Sequence, residues 1–414
     1  MILKAAWVLP IGAPPIADGY VEIEGDCIRA VGAQRELPPA AAQSAEDLGQ
    51  AVLMPGLVNP HTHLELTAYA GQLPPEPFWS WIGRLIVLRR QPGRVERERQ
   101  GVRDGAWQSL RAGVTCLADI SRENVSWDVL KGIPLRKVCF VELLSLADLP
   151  PRNTDELRAA AEAVEEDELL TVGITPHAPY TVPEHEIRAA VALAAELDRP
   201  WTTHWAETTE EVRFLGGEKK ALPELLWALI EQCEIRAPGL PPMEYLARCT
   251  DGLPAGSLAH VNYVDDWDIA QLAELGHTAI YCPRAHRFFG HQPHPFARLR
   301  AAGVSVVLGT DSPAGNEDLT ILGELRHVRR HVPGAPSAAE LLDMATRQAA
   351  KVLRLEERIG TLTPGKQADL AAFPIAASVV DPAAELIEQA PAAMGVWVAG
   401  RRVIEAATPA VDRE

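Results

Sequence analysis

His61 and His63 stand one residue apart in the stretch MPGLVNPHTHLEL, directly after an apolar run. Alternate side chains of a strand share a face, so both imidazoles point the same way. Their Cα atoms then lie roughly 6–7 Å apart, close enough for the rings to converge on one ion. Two histidines are half a metal site. Further apolar runs end in groups that could supply the rest: His177 in TPHAPYT, His204 followed by Glu207 in THWAET, His260 in LAHVNY, and Asp311 in LGTDSPAGN. A polar group that closes an apolar run is costly unless it is paired or ligated. Any one of these histidines reads most simply as a satisfied core or loop residue. The joint pattern is a ligand set of N and O donors for one divalent ion, Zn2+ or Fe2+, with His61, His63, His204 and Asp311 as the expected ligands. Water on such an ion loses a proton near neutral pH and becomes a hydroxide nucleophile.

Positioning these groups requires a repeated scaffold. Eight strand-like runs carry or separate them: AVLMPGLVNPHTH, VTCLADI, PLRKVCFVELLS, LLTVGITPHAP, RPWTTHWAE, GSLAHVNY, HTAIYCP and VSVVLGTDS. Helical patterns such as RVERERQGVRDGAWQSLRAG, TDELRAAAEAVEED and PEHEIRAAVALAAELD lie between several of them. Strands alternating with helices in this way predict an α/β chain with a (β/α)8 TIM-type barrel, whose chemistry collects at the C-terminal strand ends. An open doubly wound sheet is the alternative. No Gly-rich dinucleotide fingerprint follows the first strand, which weakens it. The two chain ends differ from the middle. MILKAAWVL and GYVEIEGDCIRAVGA at the start, and GTLTPGKQADLAAF and AMGVWVAGRRVIE at the finish, read as short strands joined by tight turns. The expected division is 1–54, a 55–360 barrel, and 361–414. The stretch 210–255 is too long for a plain loop and should add helices near the barrel mouth.

The formal net charge of -17 argues against a nucleic-acid polymer or an anionic membrane surface as partner, and leaves a small nucleoside or heterocycle open. No apolar run is long enough to span a bilayer, and the first residues do not read as a signal peptide. Six scattered cysteines without CxxC spacing read as reduced thiols, which points to the cytoplasm. A homodimer is compatible with this composition.

The ordered set PGLVNPHTH, HAPYT, HWAET, AHVNY, CPR, GTDS and GTLTPGKQADL resembles the deaminase and chlorohydrolase branch of the amidohydrolase superfamily, over essentially the whole chain. The resemblance implies a barrel carrying a small β-sandwich built from both chain ends. Binuclear members bridge two metals through a carboxylated lysine on strand four. Here LLTVGITPHAP has no lysine; Lys137 lies on strand three, and Lys219 and Lys220 in the insertion. The resemblance therefore implies one metal and favours deamination. Asp311 could also take the water proton and pass it to the leaving amine, while Glu207 could protonate a ring nitrogen of the substrate. The bland alternative for Glu207 is a solvated loop carboxylate. His260 would orient the attacking water, or ligate the metal as it does in some relatives. His177 would hydrogen-bond the substrate.

PFWSWIGRLIVLRR reads as an amphipathic helix whose Trp79 and Trp81 could stack on a flat ring, or simply dock the helix. The loop CPRAHRFFGHQPHPF offers Arg284, His286 and His291 as substrate contacts. A second metal on His286, His291 and His294 is disfavoured, because no carboxylate or thiol lies at fitting spacing. Many relatives have Ser-Asn after Cys-Pro-Arg, where this chain has Ala285-His286. With PFWSWI, that loop resembles the aminodeoxyfutalosine deaminases of the alternative menaquinone route, which implies an adenine-bearing nucleoside. Deamination of methylthioadenosine, adenosylhomocysteine or a guanine-type base stays open, as do ring dechlorination and cyclic-amide hydrolysis. A non-catalytic scaffold fits poorly, since no expected ligand is missing and Glu207 is present.

Overall fold

The computed structural model describes residues 1–122, 125–146, 150–230 and 232–405. The N-terminal segment forms β1 (Ile2–Val8), β2 (Ile16–Glu24), β3 (Cys27–Ala33), β4 (Glu46–Asp47) and β5 (Ala51–Pro55). Then come β6 (Leu57–Thr62), β7 (Val114–Ser121), β8 (Arg136–Leu143), β9 (Leu170–Pro176), β10 (Thr202–Trp205), β11 (Ser257–His260), β12 (Thr278–Tyr281) and β13 (Val306–Leu308). The C-terminal segment adds β14 (Leu370–Pro374), β15 (Gly395–Val398) and β16 (Arg401–Glu405).

β6 to β9 pair in parallel and in chain order, and β10 to β13 do the same. Single parallel bridges, Ile174 to Trp201 and Thr62 to Asp311, link the two sets at both seams. This is the expected barrel. Its strands are buried on both faces, so VTCLADIS in β7 reads as an unbroken run rather than an alternation. The helices fall where the 3.6-residue pattern puts them: Phe78–Arg89, Arg94–Arg111, Thr154–Glu162 and Glu184–Glu196. The 210–255 stretch holds Thr209–Leu215, Glu224–Ile230 and Pro242–Thr250. Among the described residues no helix is long and apolar enough to cross a membrane.

Strands from both chain ends share one hydrogen-bonded sheet, in the order β16-β15-β14-β5-β1-β2-β3, with β4 beside β1. Its apolar face has a core of its own, including Leu3, Val21, Ile28, Leu53, Leu370 and Trp397. Hairpins from opposite ends meet there. Ala399 and Gly400 turn between β15 and β16 with φ of 47° and 72°, the left-handed pair of a two-residue hairpin, and a Cβ on Gly400 would lie 2.3 Å from the Gly25 carbonyl.

Two features differ from the sequence-based expectation. The first expected barrel strand is two strands: β5 belongs to the terminal sheet and β6 to the barrel. Gly56 makes the crossing because a Cβ there would sit 2.0 Å from the Thr115 hydroxyl. The C-terminal segment also contains a helix, Pro382–Gln389, whose Ala383, Leu386 and Ile387 join the large core rather than the sheet's own.

A buried ion pair ties sheet to barrel. Arg136, opening β8, donates through Nε to Asp369 Oδ2 at 2.8 Å, with side chains 2% and 1% exposed. Asp369 Oδ1 also accepts from the Ala399 amide at 2.8 Å. Asp369→Ala leaves a buried guanidinium uncompensated and should cost about 3–5 kcal/mol, read as a lower urea midpoint. Adding Arg136→Met in the same chain should recover most of that loss.

Candidate active site at the barrel mouth

β6 and the loop after β13 are stitched together by hydrogen bonds. Asn59 Nδ2 donates to Thr310 Oγ1 at 2.8 Å, and the Asp311 amide donates to the His61 carbonyl at 3.1 Å. Asp311 is thereby set beside both β6 histidines, with its Oδ1 4.0 Å from His61 Nε2 and 3.7 Å from His63 Nε2. From the opposite seam, the ring of His204 lies 5.1 Å from His61 and 5.3 Å from His63. His260, closing β11, lies 5.5 Å from His61 and 5.4 Å from His204. Among the described residues, two groups of ligand atoms lie mutually within 4.8 Å: His61, His204 and His260, and His61, His63 and Asp311.

The protonation of these rings follows from their partners. His63 Nδ1 faces the Ile120 carbonyl at 3.2 Å, and His204 Nδ1 faces the His177 carbonyl at 3.0 Å. A carbonyl only accepts, so each Nδ1 carries the proton and each Nε2 a lone pair. Those two Nε2 atoms face each other at 3.3 Å. Both nitrogens of His61 are buried without a partner. Burial first, then neighbouring imidazoles, holds His61, His63 and His260 well below the usual histidine range, and burial takes His204 to about 3. Neutral imidazoles with converging lone pairs are what a cation requires.

Glu207 adjoins this cluster, its Oε1 3.6 Å from His260 Nε2. Burial, then the charges of Asp311 and Glu211, pushes its carboxyl well above the usual range, and burial raises Asp311 to about 7. Glu211 was not singled out by sequence reading. Its Oε1 accepts from the Ala206 amide at 2.6 Å and its Oε2 from the Glu207 amide at 3.0 Å, while Asn262 Nδ2 donates to the Glu207 carbonyl at 3.0 Å. The signal for Glu211 was present as a Thr-x-x-Glu helix start at Thr208.

The expected substrate contacts divide. His177 faces the cluster, its ring 4.9 Å from His204, with Nδ1 2.7 Å from Thr181 Oγ1. Trp79 leans on Tyr180 at 5.4 Å, and Tyr180 on His177 at 6.1 Å, so Trp79 reaches the site through a chain of rings. Trp81 is placed otherwise than expected. It is 4% exposed, donates to the Ala314 carbonyl at 2.9 Å, and packs on Phe289, so it docks its helix. Arg284 is likewise taken up within the protein: Nε binds Glu324 and a terminal nitrogen binds Asp318, each at 2.7 Å. Two carboxylates at that distance compensate its charge, which leaves it a buttress rather than a ligand contact. His286 and His291 sit with His294 in one aromatic group, rings 5.2 Å and 5.7 Å from His286. Their ligand atoms do not form one of the metal-spaced groups found among the described residues. His294 turns away from any ligand role, its Nε2 donating to the His260 carbonyl at 2.9 Å.

Comparisons with known proteins point to one family. The amidohydrolase family profile matches residues 52–403. The chain is 30% identical over 387 residues to a 5-methylthioadenosine/S-adenosylhomocysteine deaminase of Moorella thermoacetica, spanning 89% of this chain and 84% of that one. It is 30% identical over 330 residues to an aminodeoxyfutalosine deaminase of Deinococcus radiodurans, spanning 76% and 77%. A crystal structure of an adenosine deaminase from Xanthomonas campestris with bound zinc superposes with a TM-score of 0.79 at 27% identity, spanning 98% of this chain and 92% of that one. The chain belongs to the amidohydrolase family, and within it to the hydrolytic deaminases.

Proposed function

We propose that the chain holds one divalent ion, Zn2+ or Fe2+, and hydrolyses the exocyclic amine of a 6-aminopurine nucleoside, with 6-amino-6-deoxyfutalosine as the first candidate. The observation that carries the reading is the Glu207 carboxyl, buried, pushed up in pKa, and 3.6 Å from a histidine of the ligand cluster. The facing lone pairs of His63 and His204, and the unpartnered nitrogens of His61, support a cation at their centre. His61, His63, His204 and Asp311 would hold it. Bound there, a divalent ion lowers the pKa of coordinated water towards neutrality and so supplies the nucleophile.

The remaining roles belong to side chains. Attack at an aromatic amino-bearing carbon pushes charge onto the adjacent ring nitrogen, and a protonated Glu207 can neutralise it. Asp311, with a pKa near 7, can take a proton from the attacking water and deliver it to the departing amine. His260 orients that water, His177 contacts the base, and Trp79 backs His177 through Tyr180. Relatives named for methylthioadenosine, adenosylhomocysteine, adenosine and aminodeoxyfutalosine support an adenine-bearing substrate. The likeness of the strand-seven loop and the PFWSWI helix to those of aminodeoxyfutalosine deaminases supports aminodeoxyfutalosine as the first candidate. Methylthioadenosine is the second reading, because the Moorella relative matches at the same identity over more of the chain.

Protein purified without chelator should carry one equivalent of metal by elemental analysis, and His204→Ala should lose it. Two equivalents, both needed for activity, would overturn the mononuclear reading. Glu207→Gln should keep metal and fold while kcat falls by at least about a hundredfold, the scale of general acid catalysis. Aminopurine nucleosides should yield ammonia with a shift in purine absorbance. An enzyme that ignored them all yet opened hydantoins or dihydropyrimidines would refute the deaminase assignment.

A further inference from the structure

The barrel wall formed by β7, β8 and β9 changes character at its upper edge. Register pairs Ile120 with Phe140, and Phe140 with Gly173. A Cβ on Gly173 would lie 2.5 Å from the Phe140 ring, so that ring covers the glycine on the barrel's inner face. Ile120 and Phe140 share a buried cluster with Val58, Ala118, Val138 and Leu353. Side chains alternate along a strand, so the next inward positions are Glu142 on β8 and Thr175 on β9. Those two residues are register partners. One alternation beyond Thr175 comes His177, with its ring 4.9 Å from His204.

The inner wall thus turns from apolar to polar one layer below the mouth, without internal pairing. Thr175 is fully buried and its Oγ1 has no partner. Glu142 is 7% exposed, and among the described residues its carboxylate has no hydrogen bond or ion pair. Burial raises it to about 7 against the pull of the Arg122 and Arg89 guanidinium groups. Burial, then the charges of Glu207, Glu211 and Glu142, raises the Tyr180 phenol well above its usual range, so Glu142 belongs to the same mouth as Glu207. A buried carboxylate left unpaired is costly, and such groups mark positions completed by a ligand.

We propose that Glu142, with Thr175 beside it, recognises the vicinal hydroxyls of the nucleoside sugar. This deepens the deaminase reading and rests on it. Two carboxylate oxygens can accept from two adjacent O–H donors, a bidentate fit that a single hydroxyl does not make. Neutral donors suit the position better than a cation, because two guanidinium groups already act on Glu142. Glu207 then works at the base and Glu142 at the sugar.

The test compares adenosine with 2′,3′-dideoxyadenosine on the metal-loaded enzyme. The wild type should favour the diol through KM. Glu142→Ala should raise KM for adenosine at least about tenfold at nearly unchanged kcat and leave the dideoxy substrate unaffected, so that the preference collapses. Thr175→Val should move KM in the same direction by less, and Glu142→Gln, which keeps shape, serves if the alanine variant does not fold. Equal losses on both substrates, or a wild type indifferent to the diol, overturn the assignment of Glu142 while leaving deamination intact. No ammonia from any aminopurine with the metal-loaded wild type overturns both together.

Discussion

Two imidazole lone pairs face each other at 3.3 Å, on His63 and His204, and the barrel mouth is built so that neither can turn away. Each ring is anchored from behind by a backbone carbonyl, of Ile120 on one side and His177 on the other. Rotation would break a buried hydrogen bond, and protonation would place a charge where burial already opposes it. The remaining relief is a cation between them. Asp311 and His61 are held at the same centre by β6 and the β13 loop, so the opposed lone pairs dictate what the neighbouring strands must present.

Holding groups this close requires unusual backbone. Ala206, His260, Val261 and Asp311 all have positive φ, between 51° and 77°, and all stand just at or past the ends of barrel strands. For a β-branched residue such as Val261 this conformation is costly, of the order of 1–3 kcal/mol, and persists only where surroundings overdetermine it. Here they do. Glu211 takes the amides of Ala206 and Glu207, His294 donates to the His260 carbonyl, and the Ser312 amide donates to Asp311 Oδ1 at 2.8 Å. None of these supporting groups was an expected site residue. Strain at the mouth is carried by a second ring of polar residues, which in turn fixes where Glu207 points.

The barrel and the cluster of His61, His63, His204, His260 and Asp311 were legible because both leave a local mark: an apolar run, then a polar residue at its end. Helices such as Arg94–Arg111 were legible for the same reason, a period of 3.6 residues. What escaped depends on which neighbours arrive from elsewhere in the chain. Arg284 looks like an exposed loop cation until Glu324 and Asp318 are brought to it. Trp81 is buried in the cluster beneath its helix, whereas Trp79 is only partly buried against the large core, a difference set by packing partners from elsewhere in the chain. Glu142 lies inside the apolar run CFVELL, where strand parity alone cannot tell inward from outward without the pairing to β7 and β9. The break at Gly56 was hidden because the residues on both sides of it, AVLMP before and Leu57 and Val58 after, are apolar.

The terminal sheet has a consequence for how the protein is made. β5 pairs with β14, and β15 and β16 extend the sheet from there, so its edge is completed by strands translated after the whole barrel. During synthesis β1, β2, β3 and β5 must wait, with an unpaired edge beside β5, while the entire barrel is translated. Non-local pairing of this kind is slow and leaves a strand edge open to other chains in the interval. The buried Arg136–Asp369 pair joins a barrel strand to the arriving C-terminal segment. Until that segment docks, the edge beside β5 has no strand partner and the Arg136 guanidinium lacks its carboxylate, so one segment satisfies both.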